Sequence, residues 1–176
     1  MEIRTSLFGK HPSSSEYLYF GDRSDFMNAV AQWVEKGYET LLQNRINQHP
    51  EKIDHFSFFK PQERRIICGS MKLSSDKRNR KYPLVIAVEV TNYTTLLTTD
   101  EMVSFSKELG HKMCDILKKE CGLESLKEEL TQLAAYRPHQ ENVQEVPSSI
   151  IMNEDFSEIK LFYRPLELND FIETVR

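Results

Sequence analysis

Residues 69–88 read GSMKLSSDKRNRKYPLVIAV, a stretch that joins two opposite chemistries. Lys72, Lys77, Arg78, Arg80 and Lys81 place five cations within ten residues, and the chain then runs straight into the uninterrupted apolar segment 84–88. A continuous apolar run of that length, opened by a proline that lacks a ladder donor, predicts a strand covered on both faces. Such a strand needs helices on either side of its sheet. The basic loop ahead of it fits one of three roles: holding a nucleic-acid backbone, holding a phosphate, or keeping the strand soluble where it begins.

The neighbouring sequence supplies both strands and helices. HFSFF and RRIICGSMKL are strand-like runs separated by a short turn, which predicts a hairpin, and EIRTSLF is a first strand ending at Gly9. GKHPSSSEYLYFGD then reads as a loop. Ser24 caps a predicted helix from Asp25, with Phe26, Val30, Trp33, Gly37 and Leu41 at helical spacing and Val34, Tyr38 and Leu42 beside them. Thr98 with Glu101 forms a capping-box pattern for a helix reaching Gly122, and Ser125 with Glu128 predicts a second box for a helix carrying Leu126, Leu130 and Leu133. PHQENVQEVPSS reads as a surface loop, SIIM and EIKLFYR as late strands, and LELNDFIETVR as a terminal helix after Pro165. The expected fold is α/β: a three-layer sandwich with a mixed, largely antiparallel central sheet flanked by helices, residues 1–176 forming one domain.

Composition narrows the function classes. A chain of 176 residues with 39% hydrophobic residues can bury a core without staples, and no segment has the apolar length of a membrane span or a secretory leader. Cys68, Cys114 and Cys121 make neither a CxxC pair nor an even set, which points to a reducing cytoplasm rather than a disulfide framework. Residues 1–90 hold 14 Lys+Arg against 11 Asp+Glu, and residues 91–176 hold 9 against 16, so a net of −4 conceals a basic first half and an acidic second. Neither half is basic enough for a nucleic-acid-binding domain, and the loop at 77–81 would have to act alone as a polyanion-binding module. The five histidines are scattered, no serine sits in a GxSxG elbow, and neither GxGxxG nor GxxxxGK[ST] occurs. No cofactor, metal or catalytic residue is expected on these grounds, although a hydrolase of another type would need only carboxylates or histidines converging in a deep pocket.

Two loops remain, GKHPSSSEY at 9–17 and SSDKRNRKYP at 74–83. Each follows a strand and combines small hydroxyl residues, a carboxylate and cations. Lys10, Arg78 and Arg80 beside backbone and hydroxyl donors could accept an anion. Spacing alone favours a structural reading: Asp76 takes backbone amides in a turn, Arg80 pairs with it, and the other cations are solvated gatekeepers of the apolar strand.

At these same loops the chain resembles the type VI secretion-associated TagF proteins, also called ImpM. That family shows Gly-Lys-x-Pro followed by Gly-Asp-aromatic, a Trp-rich helix, and then Pro-Ser-x-Asp-x-x-Gly-Arg-x-aromatic-Pro-Leu leading into a strand. Gly9, Lys10 and Pro12 match, with Ser15, Glu16 and Tyr17 in place of Gly-Asp-aromatic; Trp33 and Gly37 match, with Val30 at the family's first tryptophan. Gly69, Ser74, Asp76, Arg80, Tyr82, Pro83 and Leu84 coincide, while Leu73 and Asn79 stand at the family's proline and glycine. Asparagine tolerates positive φ better than most residues, so Asn79 can still make the turn. The resemblance spans residues 5–90. It implies a cytoplasmic, non-enzymatic accessory that regulates secretion post-translationally through protein contacts, with type VI components and in particular a forkhead-associated scaffold protein as partners. Gly9, Lys10, Pro12, Ser74, Asp76, Arg80 and Pro83 are then the expected loop-shaping residues, and Lys10, Lys77, Arg78 and Lys81 the expected partner-binding charges. Neither nucleic-acid binding nor membrane insertion is expected.

Overall fold

The computed structural model describes residues 2–44, 52–93, 98–119, 121–135, 149–153 and 155–162. In chain order these form β1 (Glu2–Gly9), β2 (Leu18–Gly21), α1 (Asp25–Gln43), β3 (Ile53–Lys60), β4 (Arg65–Ser75), β5 (Lys81–Thr91), α2 (Thr99–Lys118), α3 (Leu123–Ala134), β6 (Ser149–Met152) and β7 (Ile159–Phe162). A short 3-10 turn at Pro61–Glu63 joins β3 to β4. The strands make one seven-stranded sheet in the order β2-β1-β5-β4-β3-β6-β7.

The apolar run of 84–88 occupies β5, paired on both edges by β1 and β4. Its alternation separates two cores. Leu84, Ile86, Val88 and Val90 join the buried residues of α2 and α3, among them Leu109, Met113, Leu117 and Leu130. Val85 and Ala87 point the other way and join Met27, Val30, Val34 and Leu41 of α1. Trp33 packs edge-on against Phe56 and Phe58 in that second core, at ring distances of 5.5 and 5.3 Å. Gly69 serves the same cluster, because a Cβ there would lie 2.2 Å from the Phe56 ring directly across the β3–β4 ladder.

Several expectations need correcting. The sheet is antiparallel at every described pairing rather than mixed. Four of these six pairings join strands consecutive in the chain, whose short connections favour antiparallel order, and the long-range pairs β1·β5 and β3·β6 keep the same sense. Leu18–Gly21, read as loop, is the edge strand β2, an assignment that depends on its pairing with β1. Ser125 is not an N-cap: α3 already begins at Leu123 with Gly122 as its cap residue, and no side chain caps it. Thr98 and Glu101 do form the reciprocal capping box. Leu42 lies 61% exposed, off the buried stripe of α1. His55 lies inside β3, almost fully buried, with Nδ1 2.5 Å from the Ser70 hydroxyl. All three cysteines are free, and burial pushes the Cys68 thiol up to about 11. Of the loop expected at 138–149, residues 138–148 lie outside the described residues and Ser149 opens β6; the terminal helix expected after Pro165 also lies outside them.

One ion cluster fastens α1 to the sheet. Arg65 meets Asp25 at 2.6 Å, Glu63 at 3.1 Å and the fully buried Glu89 at 2.7 Å. The hydrogen bond from Arg65 holds the Asp25 carboxyl down at about 2. Removing the cation would leave Glu89 as an uncompensated buried charge. Arg65→Ala should therefore lose about 3 kcal/mol or more of stability in chemical denaturation, and adding Glu89→Leu to it should restore a substantial part. Equal stabilities for Arg65→Ala and the double variant would show that Glu89 is not held by Arg65.

Candidate functional site

β1 ends where it must pass close to β5. Gly9 pairs with Leu84, has φ +117°, and a Cβ on it would lie 1.9 Å from the Pro83 carbonyl oxygen. Only glycine permits this approach. It delivers the 10–17 loop to the side of the β4–β5 turn, which is the basic loop of the sequence.

The turn is organised by Asp76, whose side chain is fully buried. Its Oδ1 accepts from the backbone amides of Arg78 and Arg80, each at 2.9 Å, and its Oδ2 accepts from Arg80 Nε at 2.7 Å. Lys10 brings its ammonium to 3.7 Å from the same Oδ2. Further bonds lace the two loops together: the Lys77 amide donates to the Ser14 carbonyl at 2.8 Å, and Arg80 Nη2 donates to the Ser15 carbonyl at 2.6 Å. Asn79 has φ 58°, the left-handed conformation that a glycine would adopt in the turn. Burial opposes the ionised Asp76 carboxyl, yet the Arg80 amide, its guanidinium and the Arg78 amide outweigh that cost and lower its pKa below the ordinary aspartate value.

The expected site residues separate into distinct groups. Gly9, Lys10, Asp76 and Arg80 meet at the loop junction, and Pro83 lies buried beside Gly9. Pro12 is exposed in the first loop. Ser74 pairs with Tyr82 in the β4–β5 ladder, outside the Asp76 bonds. Lys77, Arg78 and Lys81 are exposed, whereas Lys10 is only 16% exposed and its charge faces inward to Asp76. Tyr82 ties the junction to the rest of the fold through edge-on contacts with Tyr17 at 5.4 Å and Tyr38 of α1 at 5.1 Å.

His11 was not singled out by the sequence. It is buried, its Nδ1 accepts from the Ser13 amide at 3.1 Å, and its ring lies near the Cys121 backbone. Accepting at Nδ1 suits the neutral ring; burial lowers its pKa below the ordinary histidine value, with Lys72 adding to the shift and the Cys121 backbone opposing it. Lys72 in turn donates to the Leu117 carbonyl at the end of α2. Together they bound a groove of about 1050 Å³ between the first loop, the ends of β4 and β5, and the α2–α3 turn. Among the described residues, no group of three or more His, Cys, Asp or Glu is placed to hold a metal ion, and no helix is long and apolar enough to cross a membrane.

The family model of the TagF N-terminal domain, described as type VI secretion system-associated, matches residues 6–133. The match extends past the 5–90 region of resemblance and takes in α2 and nearly all of α3. Among solved structures, PA0076 from Pseudomonas aeruginosa PAO1 is similar in fold, with a TM-score of 0.68, 14% sequence identity, and coverage of 97% of this chain and 93% of that one. Among curated proteins none matches this chain.

Two measurements probe the loop junction. Asn79→Ala should cost about 1 kcal/mol in thermal or chemical unfolding, because alanine resists positive φ, while Asn79→Gly should be close to neutral; equal effects would mean the left-handed turn is not what Asn79 provides. Acid should weaken the junction in two stages. His11 has a folded pKa below its ordinary 6.5, so its contribution is complete above that value and declines as the pH falls toward the folded pKa. Asp76 also has a lowered folded pKa, so its contribution is complete above the ordinary aspartate range and lost as the pH falls through the folded value. Stability measured against pH should lose the upper stage in His11→Gln and the lower stage in Asp76→Asn; an unchanged profile in either variant would remove that group from the account.

Proposed function

Because the chain belongs to the type VI secretion system-associated TagF N-terminal domain family, we propose that it is a non-enzymatic regulatory accessory of a type VI secretion system. It acts post-translationally in the cytoplasm by contact with another protein of the apparatus. A forkhead-associated scaffold protein is the first candidate. The observation that carries this reading is the loop pair braced by Asp76, which fixes the backbone of the basic turn and leaves Lys77, Arg78 and Lys81 outside the brace, facing solvent. The helices on the two faces of the sheet are the outer layers of a three-layer sandwich, and the loop pair forms one end of its central layer.

A shaped turn with outward cations suits docking against an acidic surface. Exposed charges of this kind accelerate association and make it salt-sensitive more than they deepen affinity. Arg80 belongs to a different category, since its guanidinium holds Asp76 and the Ser15 carbonyl. Substituting it would disturb the platform as well as any interface.

Affinity capture of the tagged chain from its native lysate at moderate salt tests the proposal, with Lys77→Ala/Arg78→Ala beside it. The expected result is recovery of a forkhead-associated or other type VI component, reduced several-fold in the double variant. Recovery of nucleic acid in place of any such component would return the 77–81 loop to the polyanion reading and overturn the regulatory one.

A further inference from the structure

We propose that the groove beside the basic turn receives an acidic peptide segment of the protein partner, with apolar side chains on its floor and carboxylates against its lysine rim. The identity of the supplier rests on the regulatory reading above; the chemistry of the groove rests on its own lining. The floor is apolar, built from Ile53, Leu117 and Leu126. The rim carries Lys81 from β5 and Lys118 and Lys119 from the end of α2, all exposed. Among the described residues that line the groove there is no aspartate or glutamate.

Lys118 and Lys119 lie in the half of the chain that holds 16 acidic residues against 9 basic ones. The rim gathers three exposed lysines on an acidic protein, with Glu129 as the partner of Lys119, a pattern that favours a short acidic segment able to exchange with that partner over a long polyanion, which the acidic surface beyond the groove repels. An isolated phosphate would leave the apolar floor uncovered. The volume of about 1050 Å³ lies at the upper end of the range of small-ligand pockets and suits a short peptide.

The walls are held before any ligand arrives. Lys72 fastens β4 to the Leu117 carbonyl, and the buried His11 holds the first loop's Ser13 amide at its Nδ1. A groove fixed in this way loses little freedom on binding. Lys119 pairs with Glu129 of α3 in an exposed contact, so an entering carboxylate exchanges with Glu129 rather than meeting a buried ion pair.

Gly122 offers a test that leaves the fold intact. It lines the groove, it is the N-cap residue of α3 without a side-chain cap, and a Cβ on it meets nothing within 4 Å. Gly122→Asp supplies a favoured N-cap while placing a carboxylate on the groove wall. The probe is a short fluorescein-labelled peptide alternating glutamate and leucine, titrated by anisotropy beside a lysine–leucine peptide and a single-stranded oligonucleotide. The expected result is saturable binding of the acidic peptide alone, weakened about tenfold or more by Gly122→Asp and by Lys118→Glu, with the Tm of Gly122→Asp unchanged or higher. No binding of the acidic peptide to the wild-type chain, equal affinity in Gly122→Asp, or equally tight binding of the oligonucleotide would overturn the inference. Capture from lysate with Gly122→Asp separates the two readings. A type VI component recovered equally by both chains overturns the groove while leaving the regulatory reading in place. Peptide binding that depends on Gly122, with no such component captured by either chain, supports the groove and sinks the regulatory reading.

Discussion

The Asp76 carboxylate is the constraint on which the end of the sheet depends. A buried carboxylate is tolerated only when its oxygens are satisfied and its charge is paired. Asp76 meets the condition by drawing in the amides of Arg78 and Arg80, the Arg80 side chain and the Lys10 ammonium. Each partner fixes something further. The amides set the curvature of the turn, Arg80 carries the Ser15 carbonyl with it, and Lys10 commits the first loop to the second. Two loops far apart in sequence thereby become one surface.

The sheet makes that arrangement possible through the close pairing of β1 and β5. Gly9 lets β1 approach Pro83 where any side chain would collide with the backbone, so the first loop leaves the sheet beside the β4–β5 turn. The same strand, β5, separates the two cores by simple alternation, with Leu84 and Ile86 toward α2 and α3 and Val85 and Ala87 toward α1. The platform and its helical supports thus share a single strand, and strain at the turn would be transmitted to both cores.

What was legible in the sequence was local. The apolar run of β5, the Ser24 cap and the Thr98–Glu101 box each declare themselves within a few residues, and all three form. The left-handed turn at Asn79 was legible only through the resemblance, which sets the family's glycine at that position. β2 was not, since four residues become a strand only by pairing with β1, and nothing local distinguishes them from loop. Ser125 misled because a capping pattern is permissive: the chain had entered the helix at Leu123, and Ser125 had no free end to cap. The Asp76–Arg80 pairing is four residues apart and was readable, whereas the inward turn of Lys10 and the burial of His11 require contacts across the sheet. The groove was invisible in principle, because the first loop, β4, β5 and the α2–α3 turn each contribute only part of it.

The distinction between Lys10 and Lys77 shows why charge counting in a basic loop is a poor guide to a binding surface. Both are lysines near one carboxylate, but Lys10 neutralises a buried group while Lys77 uses only its backbone amide within the loop pair. Arg80 resembles Lys10 in this respect despite its partly exposed side chain, since both of its bonds point into the junction. A cation that balances an internal charge has most of its field cancelled at short range, and a cation beyond that pair presents its field to solvent and to an approaching partner. The outward set of Lys77, Arg78 and Lys81, continuous through Lys81 with the lysine rim of the groove, is therefore the part of the basic stretch whose field reaches solvent, and the inward set is what gives it a fixed shape.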